Sequence, residues 1–325
     1  MSKIFTLDCT IAKTKWMYQG ADNQNDKWPQ NCASCDASLE GNDRQSPIDL
    51  NPKLTNMETK TLPKLTFNPN PNGDTLGKFE NKVNTIQFTA NDLTKNTMSG
   101  GPLNGEYSFW QMHCHWGKTD YKPGSTEPTK VEEPGSEHWI NGKQYDAECH
   151  WVHFNNKYGT VGDAIDSGDP DALSVVGVML EIDATNGQDE VEWIGTVKNA
   201  AAGLVTPSDG PAKDVPFNVY GFLKQLGDQN QCFGYYNYLG GLTTPGCNQL
   251  VSFIIIDTPI KINLAQVSIL FKSLIFVPNC FIFSGLMCTN CKLIMPFLFL
   301  KSWSTTLGCP KMWIRMELWW VPRGV

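Results

Sequence analysis

The sequence predicts a mainly β fold, with a mostly antiparallel sheet and a few short helices, on three observations. Polar, turn-rich segments such as Asn68-Pro69-Asn70-Pro71-Asn72-Gly73 and Tyr121-Lys122-Pro123-Gly124-Ser125 separate short alternating runs, the pattern of strands joined by tight connections. Two apolar runs, Ser174–Leu180 and Leu250–Ile256, read as central strands. Only short helices are expected, over Glu190–Asn199 and Phe217–Leu226. A chain of 325 residues that is 41% hydrophobic and 18% charged has the composition of a globular protein, not of a disordered one.

Strand character matters most around the histidines, all five of which fall between His113 and His153. The first two lie in Gln111-Met112-His113-Cys114-His115-Trp116-Gly117, close to Tyr107, Phe109 and Trp110, and this composition favours a strand. Side chains two apart on a strand share a face, so His113 and His115 project together while Met112 and Cys114 face the other way. In Ala147-Glu148-Cys149-His150-Trp151-Val152-His153-Phe154-Asn155 the same parity groups Glu148, His150 and Val152 and sends His153 to the opposite side. Three neutral imidazoles with a fourth position open form the ligand set of a catalytic zinc, because structural zinc sites are closed by four protein ligands. Gln111 and Glu148 each stand two residues before a histidine on that face, where each can fix its neighbour's ring by a hydrogen bond.

With these residues the chain resembles the α-class carbonic anhydrases. Besides the two histidine strands, the likeness rests on Arg44-Gln45-Ser46-Pro47-Ile48-Asp49, Gly100-Gly101-Pro102-Leu103, Gly135-Ser136-Glu137-His138, and Tyr235-Tyr236-Asn237-Tyr238 leading into Leu242-Thr243-Thr244-Pro245. It spans residues 16–272, leaving 1–15 as an N-terminal segment and 273–325 as a divergent tail. The resemblance implies a single domain around a large twisted sheet with zinc at the floor of a conical cleft. It also implies reversible hydration of carbon dioxide to bicarbonate and a proton, and inhibition by sulfonamides. By matching position, His113, His115 and His150 are the zinc ligands. Thr243 accepts the hydroxide's proton as a hydrogen bond and donates its own to Glu137, and Thr244 helps to hold bicarbonate. Val152, Val175 and Leu242 match the apolar wall beside carbon dioxide, in which Phe253 stands for the usual tryptophan.

Two departures from the family pattern follow. Asn84, in Val83-Asn84-Thr85-Ile86-Gln87-Phe88, occupies the place of the proton-shuttle histidine, and no histidine precedes His113. Proton export is therefore expected to depend on buffer and water chains. The resemblance also places a terminal Asn-x-Arg-Pro element whose backbone carbonyl orients the second zinc histidine, here His115. No such element occurs in this sequence, and losing support of that kind typically costs about 10- to 100-fold in metal affinity or activity.

Eleven cysteines, an odd number, leave at least one unpaired or paired between chains. Secreted and membrane-attached members of the family join a cysteine placed like Cys247 to one shortly before the Gln-Ser-Pro motif. Cys32 is the expected partner and Cys35 the alternative, and the bridge implies an extracellular location, secreted or membrane-attached. Cys114 and Cys149 read as small buried thiols. Met1–Tyr18 contains no apolar run of signal-peptide length. The uncharged run Ser273–Cys291 has about the length of a membrane span, although Pro278, Asn279 and Asn290 interrupt it. A membrane anchor and an altered chain end both fit that tail.

A net charge of −7 and the lack of a basic run before residue 258 exclude a nucleic-acid surface. Two competing readings are weaker. A non-catalytic relative serving as a binding or matrix protein keeps the fold but typically lacks one or more zinc histidines. A cupin needs a glutamate soon after the histidine pair, where Gly117-Lys118-Thr119-Asp120 offers only an aspartate.

Overall fold

The computed structural model of the protein describes residues 28–51, 57–59, 63–121, 128–183, 190–204, 210–227, 233–263, 266 and 314–316. At its centre is a 13-stranded sheet. The main path runs Ala212–Phe217, Thr75–Asn81, Ile86–Ala90, Glu106–Trp116, Ala147–Asn155, Leu173–Ile182, Val251–Ile256, Tyr235–Gly240, Ile314–Met316 and Met57–Thr59. Along this path neighbours pair antiparallel, except Leu173–Ile182 with Val251–Ile256 and Tyr235–Gly240 with Ile314–Met316. The parallel pair at the centre consists of the two apolar runs. All of Val251–Ile256 and the first eight residues of Leu173–Ile182 are buried, as strands covered on both faces require.

One core cluster gathers aromatic side chains including Phe67, Phe79, Phe88, Phe109, Trp151, Phe217 and Phe222. A second contains Val152, Leu173, Val175, Tyr238 and Phe253. Consecutive residues Trp151 and Val152 belong to different clusters, so strand parity decides which cluster each side chain enters. Trp151 anchors the aromatic cluster: its ring packs edge-on against Trp193 at 5.1 Å and its Nε1 donates to the Val219 carbonyl.

The helix expected at Glu190–Asn199 occupies Glu192–Ala202 and buries Trp193, Ile194, Val197 and Ala201, a one-sided helical stripe. The second expected helix, over Phe217–Leu226, is a misreading. Phe217 ends a strand, and only Gly221–Lys224 forms a short 3-10 turn. Phe217, Tyr220 and Phe222 are all buried, a spacing that one helical face cannot satisfy, and Gly221 weakens a helix interior. An unanticipated helix covers Val161–Ser167, where the Thr160 side chain accepts from the Asp163 N–H and Gly168, at φ 66°, ends it.

The cysteines correct two expectations. Cys247 is bonded to Cys35, not to Cys32. A 3-10 turn over Ala33–Cys35 carries Cys35 to Cys247, while Cys32, packed under Trp28 in the same small cluster, is taken up in a different disulfide. Cys114 and Cys149 are not free thiols but a second bridge. In the chain-entropy model, closing loops of 212 and 35 residues stabilises by about 5 and about 4 kcal/mol. Within the tail, Ile314–Met316 pairs with Tyr236, Asn237 and Met57–Thr59. Ser273–Cys291 and the segment 1–15 lie outside the described residues. Among the described residues no helix is long and apolar enough to cross a membrane.

Candidate metal centre

Strands Glu106–Trp116 and Ala147–Asn155 build the site by direct opposition: His150 faces His113 and Glu148 faces His115 across one ladder. The three rings of His113, His115 and His150 lie 4.8 to 5.3 Å apart between centroids. One ring nitrogen from each falls within 4.8 Å of the other two. Gln111 and Glu148 fix the outer nitrogens of two of the rings. Gln111 Oε1 lies 2.8 Å from His113 Nδ1, and Glu148 Oε1 lies 2.7 Å from His150 Nε2. Each bond leaves the opposite nitrogen, Nε2 of His113 and Nδ1 of His150, with its lone pair for the shared space. Burial first, and the neighbouring His150 second, push His113 down to about 3. The same causes, with His113 added, hold His115 well below its ordinary value. Neutral imidazoles are the metal-binding form, and an all-nitrogen set of three with room for a fourth ligand fits zinc.

Glu148 is fully buried and serves as a hub. Its Oε1 accepts from His138 Nδ1 and His150 Nε2, each at 2.7 Å, and its Oε2 accepts the His138 backbone N–H at 2.8 Å. Burial alone would raise this carboxyl, but His138 and His150 and their hydrogen bonds outweigh it and hold Glu148 well below the carboxylate range. Beyond it, the Tyr238 hydroxyl bridges His138 Nε2 at 2.6 Å and Ser46 Oγ at 2.8 Å. Sequence reasoning assigned no role to His138, Tyr238 or Ser46. Each lies in a motif that carried the resemblance, but their separation in the chain hides the contact. Gly177, opposite His150 in the next strand, was also missed. A Cβ there would stand 2.9 Å from Glu148 Oε1 and 2.5 Å from Ile255 Cδ1, so the hub needs the bare backbone.

The Glu137 carboxylate lies 3.3 Å from His115 Nε2 and 3.8 Å from His150 Nδ1. Gly135 lets its loop approach: a Cβ would meet the Trp116 carbonyl carbon at 2.0 Å. Above the histidines opens a cavity of about 260 Å³. Val152, Val175, Leu242 and Phe253 line one part, Thr243 and Thr244 join them, and Lys82, Asn84, Thr85, Gln87 and Gln111 supply polar lining. The Thr243 loop is held by the Leu242 N–H on the Asn248 carbonyl, the Cys247 N–H on the Thr244 carbonyl, and the Cys35–Cys247 bridge. Asn84 is presented by a turn closed by the Lys82 N–H on the Thr85 carbonyl, with Val83 at φ 76°, a conformation costly for a β-branched residue.

His153 stands apart from this cavity. Fully buried on the other side of its strand, it places Nδ1 3.0 Å from the Trp151 carbonyl and Nε2 3.0 Å from the Tyr220 hydroxyl, and stacks on the Tyr220 ring. Burial lowers it to about 3 despite backbone hydrogen bonds that act the other way.

Known proteins share this chain's pattern. A family model described as eukaryotic-type carbonic anhydrase matches residues 23–280. Carbonic anhydrase 7 of Mus musculus is 32% identical over 243 residues, covering 72% of this chain and 78% of that protein. Carbonic anhydrase 3 of Equus caballus is 30% identical over 231 residues, and that of Rattus norvegicus 29% over 232, each match covering 70% of this chain and 76% of the relative.

Proposed function

Because the chain belongs to the eukaryotic-type carbonic anhydrase family, we propose that it hydrates carbon dioxide reversibly to bicarbonate and a proton, with one zinc ion held by His113, His115 and His150. The observation that carries this reading is the convergence of three imidazoles, those of His115 and His150 buried and that of His113 partly so, two with their outer nitrogens fixed by Gln111 and Glu148, on the floor of a partly apolar cavity. Zinc bound there supplies a hydroxide nucleophile at neutral pH.

The chain's own groups do the rest. Val152, Val175, Leu242 and Phe253 give carbon dioxide, which offers no strong hydrogen-bond donor or acceptor, a dry wall beside the histidines. Thr243 orients the nucleophile by accepting its proton as a hydrogen bond. Glu137, acceptor-only when ionised, takes the threonine's own proton and so sets the direction of that bond. Thr244 holds the bicarbonate product. With Asn84 at the cavity wall in place of an imidazole, the proton leaves to water and buffer. The disulfides Cys35–Cys247 and Cys114–Cys149 support an oxidising, extracellular location.

Purified protein should accelerate carbon dioxide hydration, and an aromatic sulfonamide should abolish the acceleration in proportion to zinc content. Zinc-loaded protein with no hydration activity would favour the non-catalytic binding role instead.

A further inference from the structure

On the reading that His113, His115 and His150 hold zinc, we propose that the Cys114–Cys149 disulfide is a positioning cross-link for that metal. Its place in the ladder carries the argument. Three successive rungs join His150 to His113, Cys149 to Cys114, and Glu148 to His115. The bridge, with Cα atoms 4.0 Å apart, therefore lies on the middle rung. On one side of it are two ligands, and on the other are the third ligand and the carboxylate that orients His150.

Slippage by one rung would put His150 on the face opposite His113 and His115, and splaying would separate His150 from its two partners. A covalent bond at the middle rung opposes both. The ladder needs such restraint because its register breaks between Val152 and His153, two rungs beyond His150. The bridge works at a distance from the chemistry: both cysteines are buried in the aromatic cluster, away from the cavity. It acts on the metal only through the strands.

The same burial means that the bond forms before the strands close. Exchange with a small-molecule disulfide joins the two cysteine sulfurs while the reagent leaves as two thiols, carrying the two electrons and two protons the cysteines lose.

The test compares the unsubstituted protein with Cys114→Ala/Cys149→Ala and with Cys114→Val/Cys149→Ala, which restores most of the lost core volume. The measurement is the rate at which a chromogenic chelator strips zinc from folded protein, well below each Tm. Zinc release should be about tenfold faster in both pairs, and refilling the core should raise Tm without slowing release. If neither pair folds, the single Cys149→Ala variant carries the same measurement with the least change of volume. Release as slow as in the unsubstituted protein, or slowed by refilling in step with Tm, would reduce the bridge to packing and overturn the proposal. Free thiols at Cys114 and Cys149 in protein from an oxidising host would overturn it directly. Absence of zinc from the unsubstituted protein would overturn both this proposal and the zinc reading, whereas zinc present with unchanged release overturns this one alone.

Discussion

The two faces of the paired strands Glu106–Trp116 and Ala147–Asn155 differ in every respect except their backbone. One face presents His113, His115, His150 and Val152 to a cavity. The other presents Met112, Cys114, Cys149 and Trp151 to an aromatic core. Alternation along a strand thus lets adjacent residues serve separate ends: groups that could hold a metal sit one residue from groups that hold the sheet together. The cost is proximity, since a change on the core face can disturb the ligand face through a single peptide unit.

The sharpest way to separate the faces is Trp151→Ala. Removing this buried ring, next in sequence to His150, should destabilise the protein by about 3–5 kcal/mol, while zinc content at temperatures where the variant stays folded remains that of the unsubstituted protein. Urea unfolding and metal analysis measure the two effects. Loss of metal without loss of stability would break the division between faces.

On the cavity side, Asn84→His should raise maximal turnover in dilute buffer by on the order of tenfold to a hundredfold, with little change in kcat/KM. Imidazole buffer should imitate it in the unsubstituted protein. Stopped-flow hydration across buffer concentrations decides the matter. Turnover independent of buffer and of the substitution would place the slow step elsewhere.

A pH-dependent effect sets the buried His153 against its exposed, unfolded form. Its folded value of about 3 lies below the ordinary 6.5, so below 6.5 the unfolded chain binds a proton that the folded chain refuses. Stability from this group is complete above pH 6.5 and falls with acid, by up to about 1.4 kcal/mol per pH unit, until the folded value is reached. His153→Gln should remove that one-proton slope from the urea-unfolding free energy between pH 6 and 4. Equal slopes in the two proteins would contradict the burial account.

Much of this was legible because period and motif are local. Strand parity paired His113 with His115 and set His153 apart from His150, the zinc-like ligand set and the family resemblance joined the three, and Gln111 and Glu148 were placed two residues before their partners. Central strands were legible as apolar runs. What escaped the sequence depends on approach between distant segments. Cys32 and Cys35 both lie near the Gln-Ser-Pro motif, and a single 3-10 turn decides which reaches Cys247. Cys114 and Cys149 show their pairing only once the strands are in register. Gly177 and His138 matter through a carboxylate that no spacing rule connects to them. Phe217–Leu226 looked helical because burial of its aromatics, which follows the core and not one helical face, cannot be read from composition.

Metal analysis of three proteins tests the central claim most directly: the unsubstituted chain, His150→Ala and His153→Gln, each purified folded and dialysed against zinc-free buffer. One zinc per chain should remain in the first and third, and the second should lose both its zinc and its hydration activity. Zinc retained by His150→Ala, or lost from His153→Gln with the fold intact, would contradict the assignment of the metal to the face that carries His113, His115 and His150.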